Sequence, residues 1–259
     1  MDRTEPVRPQ SDQAELSGSA SDLPAYLKIR STLAAQISAQ ELRPGDRLPT
    51  ERALCETFGV ARATIRQALL HLEGDGLIRS TQRGKRGWFV NPPPLRYDPT
   101  NHLNSSRNAK RQGRHAEFII LQRCEAKADE TIRRIIRTSN GAKLWKIASH
   151  TVHDGVAVCV EQNYLLAASF PKFLELAYTP PLTQFLEAHY QFFPTQIGFQ
   201  ARAARLSEEE ASILDVAAAT PCIRIVRVKA DQNGRVVQVD REAWVASAIE
   251  IVTGDVFTD

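Results

Sequence analysis

Arg62 and Arg66 stand four residues apart in residues 61–73, where the apolar side chains Ile65, Ala68, Leu69 and Leu72 fall within about 100° of arc on a helix. A helix so built has one side for a core. Ala63 and Gln67 lie opposite, and the two arginines lie on the flank. An arginine on such a helix can donate two hydrogen bonds to guanine O6 and N7 in a major groove, while threonine and glutamine read shorter patterns. Arg79, Arg83, Lys85 and Arg86 continue the basic run, with Glu73 and Asp75 against them. The local excess points to a polyanion partner, although a charge cluster alone is more often a solvated face.

Other candidate chemistry is weaker. Glu161 and Asp240 are a conceivable acid/base pair. His150 and His153, three apart on a strand, face opposite ways and make a poor metal pair. With no H-E-x-x-H, G-x-S-x-G, Walker or Rossmann spacing, no nucleophile or cofactor cradle is marked, so neither cofactor nor metal is expected. Cys55, Cys124, Cys159 and Cys222 are widely spaced without a C-x-x-C pair and read as thiols in the interior.

The elements that must position the arginines can be read around them. Tyr26, Ile29, Leu33 and Ile37 recur at helical spacing, which predicts a first helix over residues 24–39. After the Pro44-Gly45-Asp46 turn, Thr50 is an N-cap, Glu51 adds negative charge to the first turn, and Gly59 ends a second helix. The arginine helix follows almost at once and breaks at Gly74-Asp75-Gly76. Residues 77–80 and 87–90 then read as a hairpin with a basic tip. Two helices joined by a tight turn, then a basic hairpin, form a winged helix-turn-helix pattern. The bland alternative is a three-helix protein-interaction module.

A chain of 259 residues is long enough for two domains. The Pro92-Pro93-Pro94 run and Pro99 exclude helix and central strand, so residues 92–99 are expected to be a stiff extended linker. It divides a winged domain over residues 23–91 from a second domain over residues 100–255. Residues 1–22 are polar and are expected to be a disordered tail. They have no apolar central region, and no run of about 18 apolar residues occurs anywhere, so neither a signal peptide nor a membrane span is expected and the location expected is cytoplasmic. In the second domain, hairpin signals at residues 153–155 and 232–234 alternate with helical segments such as residues 182–190. Ser207 and Glu210 form a capping box. Helices with antiparallel hairpins make the second domain, and the fold class, α+β.

Three stretches, residues 48–54, 58–69 and 72–78, closely resemble the DNA-binding domain of GntR-family transcriptional regulators in order and spacing. The resemblance implies operator DNA as partner, with contacts from Thr50, Arg52, Arg62, Thr64 and Arg66 and from Lys85, Arg86 and Gly87 in the wing. The wing departs from the common G-x-G-T pattern by one extra residue and by Trp88 in place of threonine. Over residues 95–255 the chain resembles, more loosely, the UTRA effector domain of the HutC subfamily, whose fold is related to chorismate lyase. Gln112-Gly113-Arg114, the run from Asp154 to Tyr164, and residues 234–244 carry that likeness. The run Gly155-Val156-Ala157-Val158-Cys159 is also similar to regulators of phosphonate uptake of the PhnF type.

The UTRA resemblance implies an effector pocket lined by Asn104, Ser105, Ser106, Ser149, Thr151, Glu161, Thr183, Gln238, Asp240 and Trp244. Helix amides and serine hydroxyls at residues 104–106 would make an anion site. Where sugar-phosphate sensors of this type place arginines, this chain has Ser149 and Thr151, so Arg114, Lys146 or Arg241 is the candidate replacement cation.

The reading is a ligand-responsive, sequence-specific regulator, most simply a homodimeric repressor released by a small anionic metabolite such as a phosphonate. A chorismate-lyase-like enzyme fused to a DNA-binding domain and a constitutive architectural DNA binder are the alternatives. If Arg62 and Arg66 read base edges, Arg62→Ala and Arg66→Ala should each cost roughly 1–3 kcal/mol in operator binding and relax sequence preference. Lys85→Ala and Arg86→Ala should instead weaken all sequences and flatten the salt dependence. Fluorescence anisotropy at several salt concentrations separates the two classes, and wild-type operator affinity in the Arg62/Arg66 double variant would exclude this helix as the reader.

Overall fold

The apolar stripe of residues 61–73 is the axis of the N-terminal domain. The computed structural model describes residues 23–81, 87–100, 105–138 and 142–254. Helix α1 (Ala25–Ser38) lays Ile29 and Leu33 against Ile65, Ala68, Leu69 and Leu72 of α3 (Arg62–Gly74). Helix α2 (Glu51–Phe58) closes the same core with Leu54. Thr50 caps α2 by accepting a hydrogen bond from the Ala53 amide at 3.2 Å, and Gly59, left-handed at φ 65°, ends it. The wing is β1 (Ile78–Thr81) paired antiparallel with β2 (Gly87–Val90), whose Ile78 and Val90 complete the core.

The C-terminal domain is built on a six-stranded antiparallel sheet. It comprises β4 (Ala116–Lys127), β5 (Lys143–His153), β6 (Val156–Leu166), β7 (Thr195–Arg205), β8 (Pro221–Ala230) and β9 (Val236–Val245), in the order β4-β5-β6-β9-β8-β7. Two hairpins, β5/β6 and β8/β9, therefore meet through their inner strands β6 and β9. Around the sheet lie α4 (Ser105–Arg111), α5 (Glu130–Ile136), α6 (Leu182–Tyr190) and α7 (Glu208–Leu214). Ile132 of α5 and Phe185 and Leu186 of α6 share a core with Leu144, Ile147, Leu165, Phe170 and Phe173. The Ser207–Glu210 capping box expected for α7 is present in both directions.

Leu95–Tyr97, expected as linker, is instead a strand, β3, paired parallel with β10 (Ile249–Ile251). The proline restriction ends at Pro94, and Leu95 and Tyr97 alternate inward to pack with Val158, Ile225 and Trp244. A parallel pair between segments so far apart in the chain leaves no local signature. The expected tail, residues 1–22, lies outside the described residues, as does the wing tip. Among the described residues, no helix is long and apolar enough to cross a membrane, and no group of three or more histidine, cysteine or acidic side chains is placed to hold a metal. Cys159 and Cys222 are buried, whereas Cys55 and Cys124 are only half-buried; all four are free.

Because Leu95 is fully buried, Leu95→Ala should cost about 2–5 kcal/mol by loss of transfer energy and creation of a cavity. Urea unfolding of the full chain measures this, and a cost below about 1 kcal/mol would show that β3 contributes little to the domain core.

Candidate DNA interface and effector cleft

On α3 the arginines project away from the core, and Arg66 is exposed. Arg62, also exposed, is held by an ion pair in which its Nε donates to Glu51 Oε2 at 2.6 Å. The Glu51 carboxyl is held below the usual range chiefly by that hydrogen bond, with a further one from Trp88. The residue that departs from the family's wing pattern thus ties β2 to the start of α2, beside Arg62. Thr64 is half-buried, and Arg52 is 90% exposed at its side chain, 3.6 Å from Glu56. Gly87 sits against the Arg47 side chain, where a Cβ would lie 2.8 Å from Nε, so its lack of a side chain serves packing in the wing. Lys85 and Arg86 lie outside the described residues.

The candidate effector cleft follows from strand register. Ile147, Asn163, Asp240 and Arg227 form one row across β5, β6, β9 and β8, and Ser149, Glu161, Glu242 and Ile225 form the next. Side chains in these rows share a face of the sheet. Ser149, Glu161, Asn163, Gln238, Asp240, Arg227 and Lys229 line the cleft, flanked by Phe118 and Ile120 of β4 and covered by Tyr178 and residues 180–183. Its volume is about 40 Å³.

The cleft's charges are paired internally. Lys229 Nζ lies 2.9 Å from Asp240 Oδ2, while Asp240 Oδ1 accepts from Asn163 Nδ2 at 3.0 Å and Gln238 Nε2 at 2.7 Å. Burial alone would raise the Asp240 carboxyl, but Lys229 and Arg227 hold it below the usual range. Arg227 pairs with Glu242, and its Nη1 donates to Tyr97 Oη at 3.2 Å. Glu161 accepts from Thr151 Oγ1 at 2.5 Å. Burial pushes the Glu161 carboxyl up; the Thr151 hydrogen bond and the Arg227 charge oppose this without cancelling it, and Asp240 adds to it. Two buried polar atoms of the cleft residues, Arg227 Nε and Gln238 Oε1, have no hydrogen-bond partner among the described residues.

Of the ten expected effector residues, the structure brings Ser149, Glu161, Thr183, Gln238 and Asp240 to one cleft, with Thr151 behind Glu161. Trp244 is not on its wall. It shares the face of Asp240 but stands four residues further along β9, about 13 Å at the rise of a strand, and donates its indole N–H to Glu242 Oε2 at 2.7 Å. Ser106, in the first turn of α4, is also absent from the wall. Asn104 and the Ser105 side chain lie outside the described residues.

None of the three candidate cations reaches the cleft. Lys146 and Arg241 occupy the opposite face, over the Tyr164 ring, and Arg241 pairs with Asp129 at 2.7 Å. Arg114 pairs with Asp154 and donates to the Pro93 carbonyl at 2.6 Å. Arg227 and Lys229 supply the positive charge instead. Their signal was in the sequence: two cations at alternate positions of a strand whose hairpin register sets them opposite Asp240 and Gln238.

Residues 25–90 match the family described as bacterial regulatory proteins, gntR family, and residues 111–250 match the UTRA domain. The HTH-type transcriptional regulator YihL of Escherichia coli (strain K12) is 29% identical over 210 residues, 81% of this chain and 88% of that protein. The mannosyl-D-glycerate transport/metabolism system repressor MngR of the same organism is 24% identical over 223 residues, 85% and 91% of the two chains. The crystal structure of PhnF from Mycobacterium smegmatis superposes with a TM-score of 0.61 at 26% identity, covering 87% of this chain and 98% of that one.

The raised Glu161 carboxyl has a stability consequence. Its folded pKa exceeds its unfolded value of about 4.3, so its contribution is full below that value and is lost as pH rises through the folded pKa. Glu161→Gln keeps an acceptor for Thr151 and carries no titration. The melting temperature of the variant relative to wild type should therefore rise as pH is raised above the unfolded value of about 4.3. A difference that is flat or falls with pH would show that Glu161 ionises as easily as a free carboxylate.

Proposed function

The chain belongs to the UTRA-domain regulators of the gntR family, and from that premise we propose that it is a homodimeric, cytoplasmic repressor released from its operator by a small metabolite that binds the β5/β6/β9/β8 cleft. As a member of this family it is a DNA-binding transcriptional regulator with an effector domain and not an enzyme. Dimerisation is the economical route to specificity, since two winged domains on a two-fold axis read a palindrome.

The observation that carries the ligand class is the pair of buried, unpartnered atoms among the cleft residues, one a donor on Arg227 and one an acceptor on Gln238. Leaving either unmet costs about 1–3 kcal/mol. A ligand that satisfies both must accept and donate. Arg227 is paired with Glu242 and Lys229 with Asp240, so an anionic group enters without an excess of positive charge to receive it. The ligand favoured therefore joins an acceptor, such as a phosphonate or carboxylate oxygen, to an ammonium or hydroxyl donor, and an ammonium brings it closest to overall neutrality. Mannosyl-D-glycerate, in the name of one relative, combines a carboxylate with hydroxyls.

A space of about 40 Å³ holds little more than water, so binding requires the cover formed by Tyr178 and residues 180–183 to move outward. A thermal-shift screen of aminophosphonates, sugar phosphates, hydroxy acids and amino acids tests the reading. A true effector at about 100 times its Kd should stabilise the protein by about 2.7 kcal/mol. That stabilisation should fall at least tenfold in apparent affinity in Lys229→Gln. Unchanged affinity in the variant would place the ligand elsewhere.

A further inference from the structure

Arg227 is the one cleft cation shown bonded to the strand that leaves the linker. Its guanidinium lies 5.3 Å from the centroid of the Tyr97 ring, besides donating to Tyr97 Oη. Tyr97, 4% exposed, sits on β3 three residues after Pro94. Two routes from the DNA-binding domain converge on the ribbon formed by β3 and β10, and an attraction between Arg79 and Asp215 crosses the interface separately. The covalent route starts at Asn91, whose side-chain amide donates to the Gly76 carbonyl at 2.9 Å and the Ile78 carbonyl at 3.1 Å, and runs through the stiff prolines into β3. The non-covalent route is a contact between Gly76, at φ 76°, and Ser247, in the 3-10 turn Ala246–Ala248 that leads into β10. A Cβ on Gly76 would lie 2.5 Å from the Ser247 Cβ. The two routes are joined by the Tyr97–Ile251 pairing and by the hydrogen bond from the Val252 amide to the Tyr97 carbonyl at 3.0 Å.

We propose that Tyr97 is the positioning residue through which the effector cleft acts on the DNA-binding domain, by holding the β3/β10 ribbon to Arg227 until a ligand engages that guanidinium. The inference rests on the reading of the cleft as the effector site. A ligand acceptor bound at the unpartnered Arg227 Nε draws the guanidinium toward itself, and weakening the Tyr97 bond from Nη1 frees the ribbon. The domain interface has room to respond, because a cavity of about 370 Å³ lies between the winged domain and the sheet, lined by Leu70, Ile78 and Pro92 on one side and by Val158, Val216 and Val245 on the other. Close-packed interfaces resist such shifts; this one has a void to redistribute.

The variant Tyr97→Phe removes only the hydroxyl and keeps the ring stacked on Phe199 at 5.8 Å. The test uses the full chain without ligand. Hydrogen–deuterium exchange is followed for wild type, Tyr97→Phe, Arg227→Lys and the double variant, together with affinity for a duplex selected by the wild type from a random double-stranded DNA pool. Tyr97→Phe should speed exchange at least fivefold in peptides covering residues 74–78 and 249–252. It should change affinity for the selected duplex by at least fivefold and leave β5 and β6 within twofold of wild type. The double variant should change duplex affinity no more than Arg227→Lys alone. Wild-type exchange at residues 74–78 in Tyr97→Phe, additive effects on duplex affinity, or uniform loss of protection across the six-stranded sheet would each overturn the proposal, the last showing a purely structural tyrosine. Should Arg227→Lys fail to fold, Tyr97→Phe alone decides through the first and third readouts. Because no ligand enters the experiment, failure of the effector-site reading shows separately, as a stabilising compound whose affinity is indifferent to Lys229→Gln.

Discussion

The C-terminal domain is organised around charge that has been taken out of water. Arg227, Glu161, Asp240 and Glu242 are each less than one-tenth exposed on one face of a sheet, and Lys229 is nearly so at its side chain. Burying an isolated ion is prohibitively expensive, so such groups persist only when paired and hydrogen-bonded. The pairing here runs diagonally between β8 and β9, where Arg227 reaches Glu242 and Lys229 reaches Asp240, while Glu161 is met by the Thr151 hydroxyl. A slip of one residue would turn every one of these side chains to the other face. The same rows that keep the charges tolerable assemble a cleft in which Arg227 Nε and Gln238 Oε1 stay unpartnered among the described residues. Under the proposed reading, stability and recognition draw on one network, a combination expected at a functional site.

The N-terminal domain solves a simpler problem by separation. The inward side of α3 is entirely apolar and fully buried at Ile65, Ala68, Leu69 and Leu72, which leaves its outward residues unconstrained by packing. Glu51 constrains Arg62 instead, from the first turn of the neighbouring helix. An exposed ion pair of this kind adds little stability. Its effect is to limit where the guanidinium can go, and the Trp88 contact with Glu51 links that arrangement to the wing.

Between the domains, the chain uses stiffness rather than extensive packing. Three prolines connect the wing to β3, Gly76 admits the close approach of Ser247, and a cavity of about 370 Å³ lies between the domains. Such an interface suits a protein whose two halves must hold more than one relative arrangement, since a tightly packed one would fix a single orientation.

What the sequence determined by itself is local. Thr50 and Gly59 bound α2, the stripe from Ile65 to Leu72 orients α3, Ser207 and Glu210 start α7, and Asp154-Gly155 and Asn233-Gly234 turn the two hairpins, because caps, helical periodicity and turn residues act within a few positions. Strand parity was legible too. It sets Lys146 and Arg241 on the face opposite Ser149 and Asp240, and sets Arg227 and Lys229 on the same side as Asp240. Only the tertiary structure decided that β6 lies beside β9, that Trp244 falls beyond the cleft, and that Leu95–Tyr97 leaves the linker to pair with Ile249–Ile251. Those pairings join segments dozens to more than a hundred residues apart. Their energy comes from burial and from matched charges across strands, and neither is written in the spacing of neighbouring residues.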